Sequence, residues 1–399
     1  MNIALPPRVI LKPSIISMAA VFASLCAWLF PSFGVLVKGF ESPARVEFSA
    51  VVILTCWYLL ILLSFTVGEK LGGLLSLGRR SSETERLLSL NSNFFYYIFS
   101  FLTAVGLATT LVTIFRTLSP LQAFVFITLG QANSLKEALY EDYSIGFVSL
   151  RYLVLFSASI ALYRIIRWRS FGLLNILNVL MLGASALLLG SRLTLIATLL
   201  TVVFLLSFDK PSIRFSVRKL TFFVTLLFLI LSALNFSRNF GYYERNNLSF
   251  GLAGVSEILS YLGSPFQVAI GSAPVVDQLV AGGGETYRNY VDEEVNLNTN
   301  SAFVHLHEQM GFVSWAYIAV ICLFMGFVFG CLVSRGKTIF LLPAGAVLYG
   351  SAELWRLDLF HQGIFIVWFV MGIGLPVLLI GCRCLLTFLG EGAKWVSPA

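Results

Sequence analysis

The chain holds three histidines, His305, His307 and His361, and imidazole is the side chain whose ordinary pKa lies nearest neutral pH. Two of them sit in the run His305-Leu306-His307-Glu308, directly before an apolar stretch. Proton abstraction suits such a run, with a histidine as general base and Glu308 fixing its tautomer. Metal ligation suits it less well, because residues two apart do not share a helix face and no third ligand is implied. No metal site is assigned. A polar cap on the following helix is the plain alternative, and the residues alone leave it open. Neighbours two apart diverge by about 200° around a helix, so only one of the pair can face a bundle interior. His305 stands three residues before Glu308 on nearly the same face, which makes His305 and Glu308 the candidate catalytic pair.

The arginines carry a second chemistry. Arg151 lies within the first two turns of an apolar run, and Arg192, Arg238, Arg288 and Arg356 lie at the ends of such runs or in the long polar interval 237–311. Arginines in such places usually face a bundle interior or a wet cavity, and their fork of donors suits phosphate oxygens. A snorkelling anchor to lipid phosphate is the plain reading of any single one. As a set they fall on the side opposite to most other basic residues, where anchors are not expected. Arg192, Arg238 and Arg356 are the candidate anion clamp. The acids say less: Asp292, Glu293 and Glu294 form a solvated run, and Glu257 sits in an amphipathic stretch. Gly282-Gly283-Gly284 reads as a hinge, since the lysine and hydroxyl spacing of a phosphate loop is missing.

Positioning these groups falls to a membrane-embedded scaffold. Of 399 residues, 58% are hydrophobic and 12% charged, against about 25% charged in soluble domains. Several runs approach the roughly 20 apolar residues that cross a bilayer. The expected fold is all-α, a polytopic helical bundle of about ten transmembrane helices forming a single domain, 1–399. The spans fall near 14–37, 47–68, 94–115, 144–166, 171–189, 193–208, 220–236, 312–333, 339–354 and 363–382. The interval 237–311 is one long loop carrying short helices, the place where irregular backbone meets water. The first apolar run is too long for a cleaved secretory signal and reads as a retained span. Basic clusters at Arg79-Arg80, Arg164–Arg169 and Arg214–Lys219 set both termini and those loops in the cytoplasm. The net charge of +7 follows from that bias and does not call for nucleic acid. Six cysteines lie in or beside apolar runs, which supports neither a disulfide framework nor a zinc site. No internal repeat is visible, which weighs against a transporter built from inverted halves.

The chain at this level resembles the Wzy-type polymerases of bacterial polysaccharide repeat units. The resemblance rests on the multi-span topology, Gly190-Ser191-Arg192, and Ser237-Arg238-Asn239 after a span. It rests too on Tyr261-Leu262-Gly263-Ser264-Pro265-Phe266-Gln267 and on Asn298-Thr299 leading toward Gly311. Gln309-Met310 precede Gly311 where members often carry an aromatic or acidic pair, leaving Glu308 or His305 as the substitute. What the resemblance implies is a periplasmic glycosyltransferase of the inner membrane, building an O-antigen, capsule or exopolysaccharide. Its substrate is a polyprenyl-pyrophosphate-linked oligosaccharide and it takes no metal, nucleotide or other cofactor. Membrane lipid and a chain-length regulator are its expected partners. Arg192, Arg238 and Arg356 then hold pyrophosphate, and Tyr261, Tyr287 and Arg288 hold glycan. A ligase that passes finished glycan to another lipid is the near alternative. A flippase is the distant one, and it predicts charges deep in the spans, which are scarce here.

Overall fold

The computed structural model describes residues 10–30, 42–75, 87–119, 146–188, 192–208, 249–279, 286–292 and 301–383, with 2–4, 39–40, 214–216, 240–245 and scattered single positions. Helix α1 (Pro13–Leu29) opens on a proline at its first position, where the missing N–H is no loss. It is followed by α2 (Phe48–Leu74) and α3 (Asn93–Thr117). A 3-10 segment, Phe147–Leu153, runs into α4 (Val154–Trp168). Next come α5 (Leu173–Leu188), α6 (Arg192–Ser207) and, after a short helix at Phe240–Arg245, α7 (Phe250–Ser272). The chain ends in α8 (Ala302–Met310), α9 (Val313–Val333), α10 (Leu341–Glu353) and α11 (Gly363–Phe369), which continues through a π-turn.

This is a multi-pass membrane protein, but the expectation of ten spans is wrong. Among the described residues, five helices are long and apolar enough to cross a membrane: α2, α3, Phe147–Trp168, α9 and Gly363–Arg383. Their outward residues are apolar: Leu63, Phe101, Val320 and Leu378 are all exposed. The other apolar runs make shorter helices, 17 residues in α1 and 16 in each of α5 and α6. Eight of the 17 residues in the expected span at 220–236 lie outside the described residues. Helix α10 shows the physical reason most clearly. Its 13 residues reach ~20 Å at 1.5 Å each, short of a ~30 Å hydrocarbon core, and nearly all are buried inside the bundle. Hydropathy registers apolar side chains without telling those that face lipid from those that face protein. The interval 237–311 also departs from expectation, because it holds a 23-residue helix, α7, rather than short helices only.

The central pair is α2 and α9. A Cβ on Gly68 would meet the Leu323 carbonyl oxygen at 2.2 Å, and one on Gly72 the Phe327 oxygen at 2.0 Å. From the other side, a Cβ on Gly326 would meet the Phe65 oxygen at 2.6 Å and one on Gly330 the Glu69 oxygen at 2.5 Å. Each helix therefore brings a Gly-x-x-x-Gly face, and the two backbones touch. Small residues permit this approach where lipid gives no hydrophobic drive to associate. The contacts advance together along both chains, so α2 and α9 run parallel.

Polar contacts sort the connections into two ends. At the lower end β1 (Asn2–Ala4) pairs antiparallel with β2 (Arg214–Ser216). Ser89 bridges Thr338, and Arg164 donates to Asn93 Oδ1 at 2.9 Å and to the Ser92 carbonyl at 3.2 Å. Glu69 caps α1 by accepting from the Ser14 N–H at 3.0 Å. The segments that meet there are those that the basic residues assign to one side. At the upper end α8 passes into α9 through Gly311, whose φ of +56° lies in the region that favours glycine.

Gln267 ties α7 to its neighbours and is 1% exposed. Its Oε1 accepts from Trp28 Nε1 and from the Ala44 N–H, both at 2.7 Å. Its Nε2 donates to the carbonyls of Ser42 at 2.9 Å and Asp292 at 3.3 Å. Gln267→Ala strands these groups at ~1–3 kcal/mol each, so the thermal midpoint of detergent-solubilised protein should fall sharply. Gln267→Glu should be as harmful, because a carboxylate cannot donate to two carbonyls. A wild-type midpoint in both variants would show that the four bonds do not hold the loops.

Candidate functional site

The upper end collects most of the described chemistry-bearing residues, and its centre is Tyr261 on α7. The Arg356 guanidinium stands 4.4 Å from the Tyr261 ring centroid and that of Arg192 stands 5.6 Å from it. Trp355 meets the same ring edge-on at 6.2 Å. Helix geometry explains the convergence. Arg192 is the first residue of α6, Arg356 follows the last turn of α10, and Tyr261 lies midway along α7. Three elements far apart in sequence thus supply two cations and an aromatic face. A cation over an aromatic ring contributes about 0.5–1 kcal/mol when exposed and more when desolvated.

Glu353 orients Arg356. Its Oε2 accepts from Arg356 Nε at 2.5 Å and its Oε1 accepts from the Tyr349 hydroxyl at 2.5 Å. Both side chains of the ion pair are largely buried, 13% and 9% exposed. Burial works against the Arg356 charge, but Tyr261 and Glu353 more than offset it and its pKa rises. One carboxylate thus sits on Arg356, and Arg192 brings a further positive group to the same ring. The arrangement suits an anion carrying more than one negative oxygen.

The turn between α10 and α11 holds a second arrangement. Asp358 is fully buried and accepts the Phe360 N–H on Oδ1 at 3.0 Å. Its Oδ2 accepts from the Tyr317 hydroxyl at 2.7 Å and faces His361 Nδ1 at 3.2 Å. A nitrogen facing a carboxylate carries the proton, so Nε2 of His361 keeps the lone pair. The His361 side chain is 41% exposed, and its Nε2 lies 3.3 Å from the amide nitrogen of Gln362. The Asp358 contact raises the pKa of His361, against the smaller effect of burial.

The other two histidines differ. His307 is 1% exposed, and its Nδ1 lies 2.8 Å from the Phe303 carbonyl while its Nε2 accepts from Trp315 Nε1 at 2.9 Å. Both nitrogens are spent, and rings of Trp57, Phe303 and Trp315 enclose the imidazole. Burial pushes its pKa below the ordinary value. His307, not His305, is the member of the pair that turns into the bundle. His305 is partly buried, with Gln309 Nε2 at 3.0 Å from its Nε2. Glu308 is buried and accepts the backbone N–H of Tyr287 at 3.1 Å, so this carboxylate fixes the loop at 286–289. Tyr287 is itself buried, with the Arg288 guanidinium 5.3 Å from its ring centroid. Tyr290 is the exposed tyrosine of that loop.

Arg238 lies outside the described residues, as do Glu293, Glu294 and Gly282–Gly284. No family model matches the chain, and no curated protein or solved structure matches it either. Among the described residues, no group of three or more His, Cys, Asp and Glu is placed to hold a metal ion.

Sequence reading overlooked Glu353, Tyr317 and Asp358, the partner of His361. A signal existed. Glu353 and Arg356, and again Asp358 and His361, stand three apart in one short connection, and residues three apart meet when the backbone coils. Nothing in the sequence brings Tyr317 to Asp358 or Tyr261 to Arg356.

Proposed function

We propose that this protein is a glycosyltransferase that joins polyprenyl-pyrophosphate-linked oligosaccharide units into a polysaccharide. The reading places it in a bacterial inner membrane, with the upper end periplasmic and both termini cytoplasmic. The observation that carries it is the meeting of Arg192 and Arg356 on the ring of Tyr261. Transfer of a glycan from a lipid pyrophosphate leaves negative charge on the departing oxygens. Two guanidiniums held by protein contacts stabilise that charge without reorganising, and this is where a transferase of this kind needs its donors. The aromatic face of Tyr261, beside Trp355, suits the apolar face of a sugar ring. The short resemblance segments Gly190–Arg192 and Tyr261–Gln267 contribute two of these residues. A chain-length regulator and membrane lipid are the partners that the reading implies.

A deletion strain tests this. The expected result is surface glycan capped with single repeat units and normal export of those units. Accumulation of lipid-linked units on the cytoplasmic face would replace the reading with a flippase. Full-length polymer that stays on its lipid carrier would replace it with a ligase.

A further inference from the structure

Resting on the transferase reading above, we propose that His361, oriented by Asp358, is the group that takes the proton from the acceptor sugar hydroxyl. The reasons are geometric. An effective imidazole base needs one nitrogen held by an acceptor and the other open toward the substrate. His307 has both nitrogens engaged inside an aromatic enclosure. His305 and His361 each have an exposed glutamine amide nitrogen near Nε2, Gln309 at 3.0 Å and Gln362 at 3.3 Å, so the other ring nitrogen is what separates them. His361 alone among the three histidines meets a buried carboxylate through Nδ1 and stands on an exposed side of its turn. Asp358 is positioned in turn by the Tyr317 hydroxyl from α9 and the Phe360 N–H. That fixes the orientation of the imidazole from two elements. Arg356 lies on the same connection between α10 and α11, so one short segment carries both the base and half of the anion clamp.

The step balances without any further reactant. The acceptor O–H gives its proton to Nε2 of His361 as its oxygen bonds to the anomeric carbon of the donor unit. The bond from that carbon to the pyrophosphate oxygen breaks, and the polyprenyl pyrophosphate departs with the electron pair beside Arg192 and Arg356. The imidazolium then releases its proton to the leaving pyrophosphate or to water. Asp358 is a positioning residue, since it touches the imidazole and not the substrate.

The experiment uses purified full-length protein in vesicles of bacterial phospholipid, fed with the lipid-linked oligosaccharide extracted from the deletion strain. His361→Ala and His361→Gln should each lower kcat at least 100-fold with KM within about threefold of wild type. The side chain is partly exposed, so neither variant should disturb folding. Asp358→Asn should lower kcat less and move the acid limb of the pH–rate profile to lower pH, because the carboxylate that raises the His361 pKa is gone. Its surroundings, Tyr317, Gln362 and the Glu353–Arg356 pair, are unchanged in that variant. Wild-type kcat in both His361 variants would overturn the assignment, and a 100-fold loss confined to His305→Ala would transfer the role to His305. Either result leaves the transferase reading standing, provided that wild-type protein elongates the extract. Failure of wild-type protein to elongate it would remove that reading and this proposal together.

Discussion

Arg192→Ala is expected to reduce polymer formation by about 10²–10³-fold, the usual cost of removing one preorganised group that stabilises a developing anion. Arg356→Ala should cost at least as much. The two variants fail for partly different reasons, and the difference can be measured. Arg356 is paired with buried Glu353, so its removal leaves an uncompensated carboxylate and costs ~3–5 kcal/mol of folding stability. Arg192 begins a helix and is only partly buried, so its loss should leave the protein in the membrane at a normal level. The cleaner readout is therefore Arg192→Ala, scored as polymer formed per unit of membrane-inserted protein. Arg→Lys at either position should restore only part of the activity, since an ammonium cannot reproduce a two-pronged contact with pyrophosphate. Near-normal polymer from Arg192→Ala at normal protein level would remove the clamp and leave Arg192 as a lipid anchor.

Replacing a glycine at the α2–α9 seam should destabilise the scaffold itself. A Cβ on Gly72 or Gly326 meets backbone oxygen at 2.0 or 2.6 Å, and backbone cannot swing aside as a flexible side chain does. Gly72→Ala and Gly326→Ala should each cost about 1–3 kcal/mol through overpacking, and Gly326→Leu should prevent assembly of the pair. Gly73→Ala is the internal control. It lies in the same helix with nothing within 4 Å of an added Cβ, so the better helix propensity of alanine should make it neutral or stabilising by up to ~1 kcal/mol. Thermal unfolding of the detergent-solubilised variants, followed by loss of monodisperse protein, measures both. Equal midpoints for Gly73→Ala and Gly326→Ala would mean that the seam is looser than its geometry indicates.

Much of the scaffold was legible in the sequence because membrane residence is written locally. A run of apolar residues, or a cluster of arginines between two such runs, is visible within 20 positions. The five longest spans fall where the apolar runs place them. The segments assigned to one side meet at one end, as β1 with β2 and Ser89 with Thr338 show. The two Gly-x-x-x-Gly runs, 68–72 and 326–330, were equally open to inspection, yet the sequence does not say which helix each one faces.

The span count and the placement of the histidines were not legible, and the cause is the same. Leu341–Glu353 is as apolar as a span, but its side chains pack against protein, a fact about neighbours rather than about the residues themselves. His305 and His307 have nearly identical sequence surroundings. Rotation of α8 decides between them, and the aromatic enclosure from Trp57 and Trp315 selects His307 for the interior. Glu308 sits three residues from His305, yet its oxygen accepts the N–H of Tyr287, 21 residues away.

By itself the sequence determined that this chain lives in a membrane and which connections between its apolar runs carry the basic clusters. Composition and charge act within short windows, and those conclusions require nothing more. Tertiary structure alone decided that Arg192, Tyr261 and Arg356 form one cluster, and that Asp358 joins Tyr317, 41 residues distant, to His361. Such contacts arise when helices remote in sequence pack side by side, and the packing is set by shape at seams such as α2–α9, where two glycine faces let the backbones touch.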